Sequence, residues 1–193
     1  MTDKRAVKRS GLRWVLRDRT SEAHHHLDIK VSQLDFTERE GLGTFLLGNA
    51  FAHDALRPHD DAFDGHMRRR LDLLGEDMEV LHLPYAPQRL AFEPPTRETA
   101  PGFRYVIAGS AMGGRVLAQR HASSPDPDVR EARQFLGDDA LIQFWRDVQG
   151  ELQALPQKGS AFEAVIEGAV QCFKLFERAF DAAMELQPET ANA

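Results

Sequence analysis

Apolar residues recur at helical spacing along most of this chain. From Ser10 to about Leu34 the stripe is Leu12, Leu16, Ala23, Leu27, Val31 and Leu34, with Val15 beside it and no glycine or proline after Gly11. It predicts one long first helix. Thr37 and Glu40 have capping-box spacing behind Phe36, and a second helix is predicted through Phe45, Leu46, Leu47, Phe51, Ala55 and Leu56, breaking near Pro58. A charge-rich third helix, Asp60 to Leu74, is expected to end near Gly75.

Residues 82–101 hold five of the ten prolines and read as connection. Helical pattern resumes from Phe103 to about Arg120. HASSPDPD is a turn, and Pro127 suits the first position of the next helix. Further helical stretches are Val129 to Phe135 and Leu141 to Leu155. Ser160 and Glu163 form a second capping box, and a last helix runs from about Ala161 to Leu186 through Val165, Ile166, Val170, Phe173, Phe176 and Phe180. No strand pair or internal repeat stands out. The pattern predicts an all-α fold in a single domain over 1–193, with a helical core at about 10–186 and flexible termini.

Composition narrows the function classes. With 24 basic and 30 acidic residues the net charge is 24 − 30 = −6, which argues against a dedicated nucleic-acid binder. The single cysteine, Cys172, allows neither an intrachain disulfide nor a CxxC knuckle and fits a reducing compartment. No apolar run approaches the roughly 20 residues that span a bilayer, and none follows the basic N-terminus as in a signal peptide. The expectation is a cytoplasmic protein with no membrane partner.

Two patterns carry candidate chemistry. Residues 20–28 read TSEAHHHLD. At about 100° per residue, with Leu12, Leu16, Ala23, Leu27 and Leu34 defining the buried side, His25 points to water. His24 and His26 lie on the two flanks of the apolar face, and periodicity slightly favours His26 as the inward one. No HExxH and no paired Glu-x-x-His accompanies them, so a zinc site and a carboxylate-bridged di-iron site lack their ligands. What stays open is a solitary axial ligand or ordinary boundary histidines.

The second pattern is residues 103–117, FRYVIAGSAMGGRVL. Gly109, Gly113 and Gly114 interrupt a helical stretch at about 1 kcal/mol each relative to alanine. Gly109 and Gly113 share a face, with Gly114 beside them. The segment matches no phosphate-binding glycine motif. A bare face serves either close helix crossing or a flat apolar ligand lying against the backbone. A lone histidine on one helix and a glycine face on another would clamp a disc such as haem.

On these residues the chain resembles the haem oxygenase family in its short bacterial form. Thr20-Ser-Glu-Ala-His24 is similar to that family's Thr-x-x-x-His segment, with Leu27 and Asp28 following as expected. Gly109-Ser110-Ala111-Met112-Gly113-Gly114 is similar to its Gly-x-x-x-Gly-Gly distal helix, preceded by Tyr105-Val106 and continued by Arg115, Val116 and Leu117. Val165 to Phe173 fits the family's last helix. The resemblance implies a helical fold with haem between the first helix and a kinked glycine-rich distal helix. It implies His24, not His26, as the iron ligand. It also implies Arg17, Tyr105, Arg146 and Phe173 as haem-contacting residues, with the two arginines near the propionates. Gly109, Ser110, Gly113 and Gly114 would form the catalytic face. Better-known animal members carry an aspartate where Ser110 stands, so the resemblance leaves the proton path unassigned.

The implied reaction is oxygen-dependent cleavage of haem to biliverdin, ferrous iron and carbon monoxide. Electrons would come from an external donor, a ferredoxin or flavoprotein reductase, and a bilin-accepting photoreceptor is one expected partner. Two other readings remain: a haem-carrying protein without turnover, and a helical scaffold without cofactor.

Overall fold

The computed structural model describes residues 12–156 and 158–186. The termini, for which the sequence predicts flexibility, lie outside the described residues, as do the side chains of Leu12, Ala111, Met112 and Arg115. Every regular element among the described residues is helical. In order they are α1 (Leu12–Arg19), α2 (Ser21–Ser32), α3 (Arg39–Leu56), a 3-10 segment (Arg57–Phe63), α4 (His66–Val80), α5 (Ala100–His121), α6 (Pro127–Glu131), α7 (Ala140–Ala154) and α8 (Ser160–Leu186). None of these helices is long and apolar enough to cross a membrane.

The core is built on α8. Its inward stripe, including Val165, Ala169, Cys172, Phe176, Phe180 and Ala183, repeats every three or four residues. It packs against α3 and α5. Helix α3 is buried without interruption from Gly41 to His53, as a central helix that is apolar on all sides must be. Helix α7 lies on α5, α4 on α3 and α2 on α8.

Three glycines explain the close approaches. A Cβ on Gly102 would stand 2.1 Å from the Val165 carbonyl oxygen, and one on Gly168 2.1 Å from the Thr99 oxygen. These two let α5 and α8 cross. A Cβ on Gly48 would meet the Phe180 ring at 2.9 Å.

The structure corrects four sequence expectations. The first helix is two helices. Thr20 leaves helical geometry (φ −106°, ψ 4°) and is buried, its hydroxyl donating to the Leu16 carbonyl at 2.8 Å. A helical phase carried from Leu12 to Leu34 is therefore not continuous.

Helix α4 does not stop at Gly75. Its inward stripe of Met67, Arg70, Leu74 and Met78 continues past that glycine, which lies on the exposed side. Its start is also later than expected, because Asp60 sits in the 3-10 segment and accepts from the backbone N–H of Met67 at 2.8 Å.

The Thr37–Glu40 capping box does not form. Asp35 accepts from both the Thr37 amide (2.9 Å) and hydroxyl (2.7 Å), so that hydroxyl is turned away from the helix, and α3 starts after Glu38. Phe36 is nonetheless buried, edge-on to Phe45 at 5.0 Å. In the second predicted box, Glu163 gives its carboxylate to Arg19 at 2.9 Å.

The helix expected over Val129 to Phe135 is the short α6. Pro127 opens it as expected, and Asp126 caps it by accepting from the Asp128 amide at 2.9 Å. Beyond Glu131 the chain turns. Buried Asp77 of α4 accepts from the amides of Gln134 (2.8 Å) and Phe135 (2.9 Å), which a continuing helix would have bonded internally.

Candidate functional site

Helices α2 and α5 both rest on α8, and residues of both line one cavity of about 370 Å³. That volume lies in the range of small-molecule sites, about 300–1,000 Å³. The lining is mostly apolar and aromatic, including Leu27, Val31, Phe173, Phe176 and Trp145.

Helix α2 buries no residue completely. Leu27 and Val31, its apolar positions on the cavity, are only partly covered. It is fastened to α8 by polar contacts at its edges, among them Lys30 with Asp181 and the looser approach of His26 Nδ1 to Glu177 at 3.7 Å.

The histidine triplet resolves by position. His24 lines the cavity, whereas His25 and His26 do not. The periodicity vote for His26 is thus overturned, and the break at Thr20 is the reason. Once the phase is lost there, α2 turns His24 toward the cavity and His26 toward Glu177.

The His24 Nδ1 lies 2.9 Å from the Asp28 carboxylate one turn on, and its ring meets Phe173 edge-on at 5.4 Å. With Nδ1 committed to Asp28, Nε2 is the nitrogen left for a ligand. A carboxylate behind an imidazole fixes its tautomer and raises its basicity, the usual support for a metal-binding histidine.

The glycine face is on the same cavity. Gly109, Ser110, Gly113 and Gly114 all line it, and α5 is continuous helix through them. A Cβ on Gly113 or Gly114 would meet nothing within 4 Å, and one on Gly109 only the Trp145 ring at an ordinary 3.7 Å. These glycines do not serve helix crossing, which Gly102 and Gly168 do elsewhere. They leave bare backbone against open space. The Ser110 hydroxyl donates to its own helix, to the Ile107 carbonyl at 2.7 Å.

Tyr105 and Phe173 line the cavity as expected. Tyr105 packs 5.8 Å from Trp145, and burial pushes its phenol up, while Arg17 and Arg13 nearby pull it down. The two expected arginines are not on the lining. Arg17 is exposed, 5.7 Å above the Trp14 ring. Arg146 is exposed too, with a long 3.5 Å contact to Gln143, and follows Trp145, which does line the cavity.

The sequence reading missed a buried polar cluster on the same wall. Arg70, Asp138 and Asn49 line the cavity, with His53 behind them. The Arg70 Nε–H donates to His53 Nε2 at 3.1 Å, and the guanidinium lies 3.7 Å over the Phe135 ring. His53 Nδ1 reaches the Asn49 carbonyl at 2.7 Å and must be the protonated nitrogen, because a carbonyl only accepts. Burial, with Arg70 adding to it, pushes His53 down to about 3, so its ring is neutral. A signal was present: Arg70 falls on the apolar stripe between Met67 and Leu74, where a charge is costly unless partnered.

Among the described residues no group of three or more His, Cys, Asp or Glu could hold a bare metal ion. A lone histidine backed by a carboxylate, a bare glycine wall and an aromatic lining suit a metal that arrives inside a flat macrocycle. On these observations the cavity fits haem.

No family model matches the chain. A protein of Xanthomonas campestris pv. campestris (strain 8004) named "Heme oxygenase" is 35% identical over 113 residues, 56% of this chain. The matched segment spans 66% of that relative's length, just under two thirds. Among solved structures, the NO- and CO-bound heme oxygenase from Neisseria meningitidis superposes with a TM-score of 0.62 at 20% identity, over 95% of both chains. That likeness places the helical fold.

Proposed function

We infer that this chain is a member of the haem oxygenase family, binds haem in the cavity between α2 and α5 and degrades it. The observation that carries the reading is the pairing of Gly113 and Gly114, bare toward open space, with His24 on the lining of the same cavity. Haem is the substrate, and its iron supplies the oxygen chemistry while the protein supplies position, dryness and protons. The proposed products are biliverdin, ferrous iron and carbon monoxide, with electrons from an external ferredoxin or flavoprotein reductase.

Each residue then has a task. His24 Nε2 would hold the iron, with Asp28 orienting the ring through Nδ1. The absent side chains at Gly113 and Gly114 let the ring lie against α5. Tyr105, Trp145 and Phe173, which line the cavity, would give the ring apolar contact. Arg17 and Arg146, exposed and off the lining, would have to swing over to pair the propionates, where a guanidinium binds two carboxylate oxygens at once. The Ser110 hydroxyl, with its proton on Ile107, has lone pairs left to accept from water.

The test is direct. Haemin added to the pure protein should bind one to one, and adding ascorbate or a ferredoxin system in air should convert the haem band to bilin absorption. Stoichiometric binding without bilin would replace the enzyme reading with a haem carrier. No uptake would remove both.

A further inference from the structure

A second cavity, of about 430 Å³ and more open than the first, lies between α3, α4 and the segment that follows α4. Asn49 and Arg70 line the first cavity, whereas their chain neighbours Ala50 and Leu71 line the second. The two cavities thus use different faces of the same two helices.

Leu71, Gly75, Met78 and Glu79 stand on one face of α4 and line this second cavity. Gly75 is the informative member. A glycine inside a helix is costly, and a Cβ there would meet nothing within 4 Å, so no helix crossing requires it. As at Gly113 and Gly114, backbone is left bare toward open space.

The polar end is built by Asp54, Arg57 and Tyr85. The Tyr85 ring stacks on Phe51 at 5.9 Å. Its hydroxyl is closed to solvent and, among the described residues, has no hydrogen-bond partner. Burial, with Asp54 adding to it, pushes the phenol up to about 12 against a downward pull from Arg57, so the three groups share one charge neighbourhood. The Asp54 side chain is 16% exposed and meets Arg57 Nε at 3.1 Å, but the Arg57 side chain is 59% exposed. An ion pair with so exposed a member is held weakly. With Glu79 the lining carries two carboxylates and one guanidinium, an excess of negative charge.

We propose that this second cavity binds a small organic cation, a primary ammonium on an apolar body, with the ammonium on Asp54 and the Tyr85 oxygen and the body over Gly75. An ammonium offers three N–H donors. It takes the place of the Arg57 guanidinium on Asp54 and gives the isolated phenol oxygen a donor. Leu71, Met78 and Leu83 give the body its contact, and the absent side chain at Gly75 gives it room. The site stands apart from the haem reading, because none of its lining residues lines the other cavity.

The probe is 2-phenylethylamine, titrated into the full chain with and without haem. Phenylacetate and 2-phenylethanol serve as anionic and neutral bodies of similar size. The backbone amide resonances of Gly75, Met78 and Leu83 report occupancy. The amine should shift all three saturably and bind about tenfold or more tightly than either control. Asp54→Asn should weaken the amine by about tenfold and leave the alcohol within about threefold of its wild-type affinity. Arg57→Ala should bind the amine at least as tightly as the wild type, since a competitor for Asp54 is gone. Gly75→Leu should abolish the saturable shifts at Met78 and Leu83 yet melt at or above the wild-type temperature.

An amine that binds no more tightly than the alcohol would overturn the proposal, as would an amine affinity unmoved by Asp54→Asn. No saturable shift from any of the three probes would overturn it too and leave a water-filled groove only. Tighter binding of phenylacetate would also overturn it and give the cavity to an anion on Arg57. If Asp54→Asn does not fold, the ranking of the three probes on the wild type and the loss of binding in Gly75→Leu decide the matter. None of these readouts is haem uptake, so the functional reading stands or falls separately.

Discussion

The paired behaviour of the glycines is the sharpest consequence of the structure. Alanine at Gly113 adds a methyl group that meets nothing within 4 Å, whereas at Gly102 the same methyl lands 2.1 Å from the Val165 oxygen. Both positions lie in α5. Helix propensity favours each substitution by about 1 kcal/mol. At Gly113 nothing opposes it, so apo Gly113→Ala should be about 1 kcal/mol more stable, a rise of roughly 2–4 °C in Tm for a chain of this size. At Gly102 the contact is with backbone of α8, which cannot swing away, and overpacking of this kind costs about 1–3 kcal/mol. Gly113→Leu extends the argument: the apoprotein should still melt at or above the wild-type temperature, yet its side chain fills the space in which the ring would lie. Calorimetry of the three apoproteins and a haem titration of each are the assays. Gly113→Leu should lose most haem uptake while melting normally, and any Gly102→Ala that folds should still take up haem. A strongly destabilised Gly113→Leu apoprotein that nevertheless saturates with haem would refute the reasoning, since it would make Gly113 a packing position.

Other outcomes follow from the same geometry. His24→Ala should lose the axial ligand signature in the absorbance and electron paramagnetic resonance spectra, while His25→Ala and His26→Ala keep it; the reverse result at His26 would mean that α2 is turned differently when haem is bound. Asp28→Asn should lower the iron–histidine stretching frequency in a resonance Raman spectrum and weaken haem binding by about 10–100-fold, the usual cost of losing such a support. His53 gives a pH dependence. Its folded value, pushed down by burial to about 3, lies below its unfolded value of 6.5, so its contribution to stability is complete above that value. That contribution is lost as pH falls through 6.5 toward 3, because only the unfolded chain takes the proton. The slope is about 1.4 kcal/mol per pH unit for one proton. Melting temperatures between about pH 7 and 4.5 should fall less steeply in His53→Gln than in the wild type, and parallel profiles would count against a neutral buried His53.

Which parts of this were legible in the sequence has a physical logic. Helices α7 and α8 were readable because each keeps one apolar stripe from end to end, and α3 because its apolar run is buried all round. Helix α2 was misphased because its covering is incomplete. It buries no residue fully, and Leu27 and Val31 face a cavity rather than a packed core. A stripe read from such a helix is weak, and one buried threonine, Thr20, was enough to detach it from α1. The capping boxes failed for another reason: Asp35 and Arg19 are better partners for Thr37 and Glu163 than the helix ends are, and neither rivalry shows in the spacing of two residues.

The glycine face was visible as a pattern but not as a purpose. Three glycines in a helix are equally compatible with crossing and with a ligand, and only the space beyond each Cβ separates the two. That space is occupied at Gly102 and Gly168 and open at Gly113 and Gly114. The Arg70 cluster was the opposite case. Its members come from three separate segments, Asn49 and His53 one turn apart on α3, Arg70 on α4 and Asp138 ahead of α7, and no local motif joins all of them. Yet the rule that exposed it is local. An arginine on the apolar stripe of α4 has to be answered by partners from elsewhere, and the buried Asp77, one residue before Met78 on that helix, is answered in the same way by the amides of Gln134 and Phe135. Arg70 is answered partly by His53 of α3, but Asp138 and both amides on Asp77 come from the segment between α6 and α7, which carries Phe135 and Asp138 to the cavity. The charges that interrupt the stripe of α4 thus hold that segment in place, and a substitution at Asp77 should be felt at the cavity before it is felt in the helix.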